Sequence, residues 1–408
     1  MSQRSRDAVI YYGMQLGILG VPILLIPFYG HVLGAAGFGL VSQGQAFATI
    51  IAIIVDYGFQ LTAVRNVVAS RDDPQALGRI FADVLAAKFF LAFLVVLGSI
   101  AVFFLVPVFR TEPLLYIASL AFGIVQGLSL YWYFCGRLHY ITAGCLELGG
   151  RLLAAALIFA IVRDASHAWL VQALFALSMG AFFILGLGIA YRHVPFTPFS
   201  IKGARAMLST GTHIFTLAVV GAIYSNANVL LLGFVASPVI VGIFSGAEKI
   251  AKLSITPFAP IRQIFFPMVT AKRADDPRSA WLLIRRLMLV SMSFCAIVAI
   301  VIFVFAEPIV EIVLGPTFLP SIPVLRVMAV TPILLVVTEC LGTLWLLPNR
   351  MDKVMTCIMA ISGAFHVLLF MVLSKSFGAV GSGVAVVASQ FLIFVLVYWA
   401  ARSVPKCA

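Results

Sequence analysis

The chain holds 408 residues, 62% of them hydrophobic and only 10% charged, with a mean hydropathy of +1.12. Soluble domains carry roughly a quarter charged residues, so a water-soluble fold and any sizeable soluble catalytic domain are excluded. A net charge of +12 would suggest nucleic acid in a soluble protein. In a membrane chain it reflects Lys and Arg held in cytoplasmic loops, and no nucleic-acid partner is implied.

A bilayer core about 30 Å thick takes about 20 apolar residues per helix. Apolar stretches of that order run through 8–29, 39–64, 80–107, 113–134, 144–162 and 168–191, then 212–235, 239–268, 286–306, 324–347, 354–374 and 378–401. The pattern predicts an all-α polytopic membrane protein with twelve transmembrane helices. The first stretch follows Met1 to Asp7 with no small-residue cleavage site, so it reads as a span and not a removable signal. The stretches 39–64 and 239–268 are long enough to be tilted or to run past the lipid. The six cysteines (135, 145, 295, 340, 357, 407) form no CxxC pair and no metal spacing, so neither a disulfide nor a metal is expected.

The connections set the orientation. One side collects Arg4, Arg6, Arg65, Arg71, Arg79, Arg137, Arg192, Lys202, Arg205, Lys272, Arg273, Arg278, Arg285, Arg286, Arg350, Lys353, Arg402 and Lys406. The other side holds only Arg110, Arg163 and Lys375. Basic residues stay inside, so both termini are expected in the cytoplasm and the chain in the cell inner (cytoplasmic) membrane.

Two anchors recur at one offset. Gly39-Leu40-Val41-Ser42 returns as Gly242-Ile243-Phe244-Ser245, and Asp72-Asp73-Pro74 as Asp275-Asp276-Pro277, both 203 residues later. They divide the chain into an N-terminal six-helix bundle, 1–200, and a C-terminal six-helix bundle, 201–408. Six is even, so the halves are parallel repeats, and transporters of that plan rock one half against the other around a central site. The segment 192–211, with Pro195, Pro198, Lys202 and Arg205, links them.

An intramembrane charge is expensive and normally faces a bundle interior or a cavity. Outside the loops there remain Lys88, Arg151, Lys249, Lys252, Arg262 and Arg326, with Asp56, Asp83, Glu147, Glu248 and Glu339. Arg79/Asp83 and Glu147/Arg151 are i,i+4 pairs near helix ends, where a surface ion pair suffices. Arg326 and Arg262 lie near the outer and inner boundaries, within reach of snorkelling. Lys88 has no carboxylate at i±4.

Span 8 differs. From Val239, Lys249 and Lys252 lie about 15 and 20 Å along a helix, in the middle of the bilayer and on one face. Glu248 and Lys252 stand at i,i+4 in the favourable order. Either that pair neutralises itself and only joins helices, or the lysines form a cationic cavity for an anionic substrate. No carboxylate stands at i±3 or i±4 from Lys249, which favours the second reading. At the repeat offset Glu248 corresponds to Gln45 and Lys249 to Ala46, so spans 2 and 8 are both expected to line a cavity. The candidate substrate-binding residues are Lys249, Lys252, Glu248, Gln45, Arg65, Arg262 and Lys88. Pro257, Pro260 and Pro267 interrupt the end of span 8.

Asp56 in span 2 and Glu339 in span 10 each read as an ion-coupling carboxylate or as a hydrogen-bond acceptor. Asn226 and Asn228 read as interhelical hydrogen bonders. The histidines mostly fall at span ends, and no pair has metal-ligand spacing.

Several of these stretches are also familiar as a set. Val32-Leu33-Gly34 through Gly39-Leu40-Val41-Ser42, then Asp56-Tyr57-Gly58-Phe59 and Arg65-Asn66-Val67, resemble the opening of the polysaccharide-transporter family. These are the Wzx-type flippases of the MATE-like (MOP) superfamily. Leu230-Leu231-Leu232-Gly233, leading to Gly242 through Ile250, is similar to the family's Gly-x-Tyr-Ser-x-Ala-Glu-Lys-like stretch. Leu314-Gly315-Pro316-Thr317-Phe318, Pro323-Val324-Leu325-Arg326 and Gly378-Ala379-Val380-Gly381 resemble further family stretches, in family order. Asn228 stands where members often carry an acidic residue, and Phe244 where Tyr is usual.

The resemblance implies a V-shaped pair of six-helix bundles that moves an undecaprenyl-pyrophosphate-linked oligosaccharide from the cytoplasmic to the outer leaflet. O-antigen, capsule or exopolysaccharide synthesis would be served, with a polysaccharide polymerase and a chain-length regulator as partners and no cofactor. A MATE-like cation-coupled multidrug antiporter is the alternative, but it would want an acidic, aromatic cavity where lysines dominate here. A membrane-embedded enzyme would need carboxylates or a His beside a sizeable hydrophilic loop, whereas the loops here are short and carry mainly basic groups. No Gly-x-x-x-x-Gly-Lys-Ser/Thr is present, so transport is expected to draw on an H+ or Na+ gradient.

Overall fold

The computed structural model describes residues 3–254, 265–266, 268–273 and 276–403, apart from the side chains of 3–9, 213, 217–226 and 277. Among them every regular element is helical. The first helices are α1 (Gln3–Asp56), α2 (Phe59–Ala69), α3 (Pro74–Leu105), α4 (Pro107–Thr111) and α5 (Pro113–Gly127). Next come α6 (Tyr131–Gly136), α7 (Tyr140–Ile161), α8 (Ala168–Tyr191), α9 (Ile201–Val235) and α10 (Pro238–Leu253). The last are α11 (Pro277–Val304), α12 (Ala306–Leu314), α13 (Ile322–Met328), α14 (Thr331–Leu341) and α15 (Asp352–Ser403).

Straight, the 54 residues of α1 would extend about 80 Å, far beyond a bilayer. Gly34 breaks the helix with φ 62° and ψ −174°, a conformation that only glycine adopts without strain. The same device divides the 52 residues of α15 at Gly378, φ 56° and ψ −133°. The return there is tight: a Cβ on Gly381 would sit 2.1 Å from the Leu373 carbonyl oxygen, and the Ser374 and Ser382 hydroxyls meet at 2.9 Å. Each break opens a Gly-Ala-x-Gly sequence, Gly34 to Gly37 and Gly378 to Gly381.

Eight helical stretches among the described residues are long and apolar enough to cross a membrane. Two of them contain the broken helices α1 and α15, and with α9 and α10 they are consistent with twelve spans. Rows of large apolar side chains point outward, Phe89, Phe93, Leu97 and Phe104 on α3 and Val290, Ile297 and Ile300 on α11 among them. In water such patches would be anomalous; against lipid they are the expected surface.

The contacts form two units, Met1–Phe234 and Val235–Ala408. Helix α9 packs within the first unit. Its Ala204, Met207 and Leu208 lie on a core built from Phe59, Phe81, Trp132, Tyr133 and Phe134. Phe215 stacks on Tyr57 with ring centroids 4.3 Å apart. Elsewhere in this unit α5 approaches α1 through Gly123 and Gly127, where a Cβ would come within 2.7 Å of Ile51 and 2.5 Å of Val55. Small residues let membrane helices pack this closely. In the second unit Phe244 meets Phe370 edge-on at 5.8 Å and Trp281 meets Trp345 at 5.0 Å.

Two expected spans are broken in ways the apolar pattern hides. The stretch 324–347 is a series of α13, α14 and a π-helical stretch over Gly342–Leu346, with a 3-10 turn over Pro316–Ser321 just ahead of it. Pro320, Pro323 and Pro332 lack the N–H that a continuous helix needs. The stretch 113–134 is α5 and α6, separated at 128–130.

The Asp-Pro repeat has a physical role. Asp73 and Asp276 each occupy an N-cap, accept two backbone N–H groups and precede a proline in the first turn of α3 or α11. Asp275, Arg262, Pro257, Pro260 and Pro267 lie outside the described residues.

Candidate functional site

In the first unit the intramembrane charge is sequestered. Lys88 on α3 is 0% exposed. Its Nζ donates to Asp56 Oδ1 at 3.0 Å and to the carbonyls of Gly127 and Ser129 at 2.7 and 3.3 Å. An ammonium has three protons, and three acceptors of the protein take them. Both carbonyls belong to the break between α5 and α6, where helical partners are lost. Lys88 therefore ties the end of α1 to that break, an arrangement that leaves no proton for a substrate. Asp56, with its side chain 18% exposed, accepts this bond.

In the second unit the charge sits differently. Residues Val241, Phe244, Ala247, Glu248 and Ala251 form the buried face of α10. Lys249 is half-buried beside that face and Lys252 emerges from it. Lys252 Nζ pairs with Glu248 Oε1 at 3.1 Å, the lysine side chain 48% exposed and the carboxylate 5%. The expected i,i+4 pair is thus present, and one residue along stands the second lysine. Two lysines and one carboxylate thus stand together in the last turns of α10.

Glu248 also interacts electrostatically with His366 on α15. His366 is 3% exposed, and its Nδ1 lies 3.0 Å from Ser389 Oγ. Sequence reasoning passed over this histidine by grouping it with those at span ends. Its signal was its position in the middle of span 11.

The other candidates are dispersed. Gln45 is half-buried on α1, and Arg65 is exposed on α2. Glu339 on α14 is half-buried and accepts from Thr343 Oγ1 at 3.1 Å. Asn228 is buried, while the side chain of Asn226 is outside the described set. Arg326 donates to the Phe303 carbonyl at 3.3 Å and covers that ring at 5.7 Å.

Asp83 corrects an expected pair. Its carboxylate accepts the Ser200 N–H at 2.7 Å, ahead of α9, and no ion pair joins it to Arg79 among the described residues. The Glu147–Arg151 pair does form, at 2.9 Å. No three His, Cys, Asp or Glu side chains gather as a metal site among the described residues.

The sequence model of the polysaccharide biosynthesis protein family matches residues 5–271. The Escherichia coli (strain K12) protein named "Putative O-antigen transporter" is 23% identical over 381 residues, 91% of this chain and 90% of its own length. A protein of the same name in Shigella dysenteriae is 23% identical over 379 residues, 91% of this chain and 93% of its own. In fold, the chain resembles the lipid II flippase MurJ in its inward closed conformation, with TM-score 0.73 at 10% identity over 97% of this chain and 88% of that one. It also resembles an inward-facing multidrug resistance MATE family transporter of the MOP superfamily, with TM-score 0.68 at 14% identity over 93% and 96%. These likenesses show a MATE-like, all-α, multi-pass membrane fold. With well over half its length matched, the chain belongs to the polysaccharide biosynthesis protein family.

Proposed function

We propose that this protein flips an undecaprenyl-pyrophosphate-linked oligosaccharide repeat unit from the inner to the outer leaflet of the cytoplasmic membrane by alternating access. The reading makes it a transporter, not an enzyme, serving O-antigen, capsule or exopolysaccharide synthesis. The observation that carries it is the clustering of two lysines on α10, where half-buried Lys249 lies next to a Glu248–Lys252 pair whose lysine is exposed. A diphosphate entering a half-dehydrated site needs compensating cations already in place. At an effective dielectric near 20, unit charges about 4 Å apart attract by roughly 4 kcal/mol before desolvation. The names of the curated relatives and the lipid II flippase among the structural neighbours support the same reading.

Gln45, Arg65 and Arg262 remain secondary substrate contacts in this proposal. Glu339 and Asp56 are its candidates for the group that responds to H+ or Na+, Glu339 ahead because Asp56 already holds Lys88. The two parallel six-span repeats and the cytoplasmic termini belong to the proposal as well. A cysteine introduced at Ala236 should then react with an impermeant label from outside, and one at Ser2 only from the cytoplasm. The multidrug antiporter reading draws on the MATE likeness, but a cationic drug would meet like charge at α10.

The test is flipping of the lipid-linked oligosaccharide in proteoliposomes, measured together with its binding and with membrane abundance. Lys249→Ala should abolish or nearly abolish flipping and binding at normal abundance, and Lys249→Arg should retain part of both. Unchanged binding in Lys249→Ala overturns the cationic site.

A further inference from the structure

In the second unit a buried histidine stands beside the α10 charges without a part in the lysine site. His366, on the stretch of α15 before its break at Gly378, is 3% exposed, and Ser389, on the stretch after it, is fully buried. The Ser389 hydroxyl gives its one proton to the Ala385 carbonyl at 2.7 Å. Toward His366 Nδ1, 3.0 Å away, the same oxygen therefore accepts. That fixes the tautomer of the neutral ring: Nδ1 carries the hydrogen and Nε2 the lone pair. A second proton goes to Nε2.

The surroundings decide what that proton does. Glu248 on α10 acts electrostatically on His366. Phe244 on α10 meets Phe370, whose ring lies 5.4 Å from the imidazole. The same Glu248 holds Lys252 at 3.1 Å. Further titratable groups on the helices packed against α15 are Lys249 on α10, Arg326 on α13, and Glu339 and Cys340 on α14; the π-helical stretch carries none. Arg326 donates to the Phe303 carbonyl, and Glu339 accepts from Thr343. One buried carboxylate thus serves both a lysine and an imidazole, and an imidazole gains or loses its charge near neutral pH.

We propose that His366 is a proton switch: protonated at Nε2 by a proton from solution, it competes with Lys252 for Glu248 and releases that lysine to an anionic substrate. The proposal rests on the flippase reading for the identity of the anion, a pyrophosphate diester. By linkage, proton uptake and anion binding then favour each other. Exchange of a proton for substrate across a membrane needs the two to exclude each other. The switch therefore tunes affinity and leaves energy coupling to another group.

The experiment uses the full chain in nanodiscs. Calorimetry follows symmetric dimethyl pyrophosphate, a diester whose charge stays constant over the range in which histidine titrates, about pH 5 to 8. The parent should bind it about tenfold more tightly at the acid end, a ratio usual for coupled sites. His366→Asn keeps an N–H for Ser389 and cannot ionise, so its affinity should stay near the parent's alkaline value throughout. Lys252→Ala should bind more weakly and lose most of the pH dependence. Ser389→Ala withdraws an acceptor from the charged ring and should move the midpoint down by roughly one pH unit, the worth of one hydrogen bond. Nitrogen NMR of labelled histidine should show Nε2 of His366 taking the proton over the same range. Parent affinity that ignores pH, or a pH dependence retained in His366→Asn, overturns the switch. If His366→Asn does not fold, an unmoved midpoint in Ser389→Ala overturns it instead. A dependence unchanged in Lys252→Ala overturns the release of that lysine. Absence of diester binding at every pH sinks the cationic-site reading of α10. The nitrogen spectrum then decides: Nε2 protonation in the range supports the switch, and a ring that stays neutral throughout overturns it.

Discussion

The two units use the same kind of charge pair in opposite ways. In the first, the cation is the sequestered partner: Lys88 has 0% of its side chain exposed and Asp56 18%. In the second, the anion is sequestered: Glu248 has 5% exposed and Lys252 48%. The repeat offset of 203 sharpens the contrast. Lys88 corresponds to Ser291, while Glu248, Lys249 and Lys252 correspond to Gln45, Ala46 and Thr49. One half has placed its charge where a broken span needs closing, and the other where a lysine stays exposed in the last turn of a helix. A lysine in a membrane helix therefore says little about function until its three protons are accounted for.

The largest expected effect breaks the first arrangement. Lys88→Met leaves Asp56 and two carbonyls without their donor in a low-dielectric interior, and breaking a buried pair costs about 3–5 kcal/mol. Membrane abundance and the melting temperature of purified protein should both fall sharply. Adding Asp56→Asn should recover part of that stability, since no uncompensated charge is then left. Normal abundance in Lys88→Met would show that the pair does not hold the break.

A smaller effect is expected in the second unit. Lys252→Ala removes an exposed side chain whose partner Glu248 still has Lys249 and His366 in its surroundings. Flipping should fall several-fold, with a melting temperature close to the parent. In Lys252→Ala combined with Glu248→Gln, the melting temperature should match the parent and flipping should stay low. Recovery of flipping in the double variant would assign the pair to structure, as in the first unit.

Local rules made part of this legible. The spans follow from apolar length, the Glu248–Lys252 pair from i,i+4 spacing, and the Asp-Pro caps from their recurrence. What escaped was long-range. Asp56 and Lys88 are 32 residues apart and Asp83 and Ser200 are 117 apart, and no periodicity joins them. The packing of α9 escaped for the same reason, since it depends on Met207, Leu208 and Phe215 finding the first unit's core. The break between α13 and α14 was written in Pro332, but an apolar count is blind to proline.

The smallest effect tests the place where the halves agree most. Asp276 caps α11, and the hydroxyl of Ser279, then the N–H groups of Ser279 and Arg278, hold its carboxyl below the usual carboxylate range, with nearby Lys272 adding to the effect. At the matching place before α3, Ala76 stands where Ser279 donates. A depressed carboxylate contributes stability that is present above its unfolded pKa, near 4, and is lost as pH falls through the folded value. Melting temperature should thus decline on the acid side, beginning near the ordinary carboxylate value and ending below it. Ser279→Ala, which gives α11 the cap chemistry of α3, should raise the Asp276 pKa toward its ordinary value and make the acid-side decline shallower. Asp276→Asn still accepts backbone N–H groups, so at neutral pH it should melt close to the parent while losing this group's share of the acid slope. Identical acid limbs in the parent and both variants would mean that this cap contributes nothing measurable to acid stability.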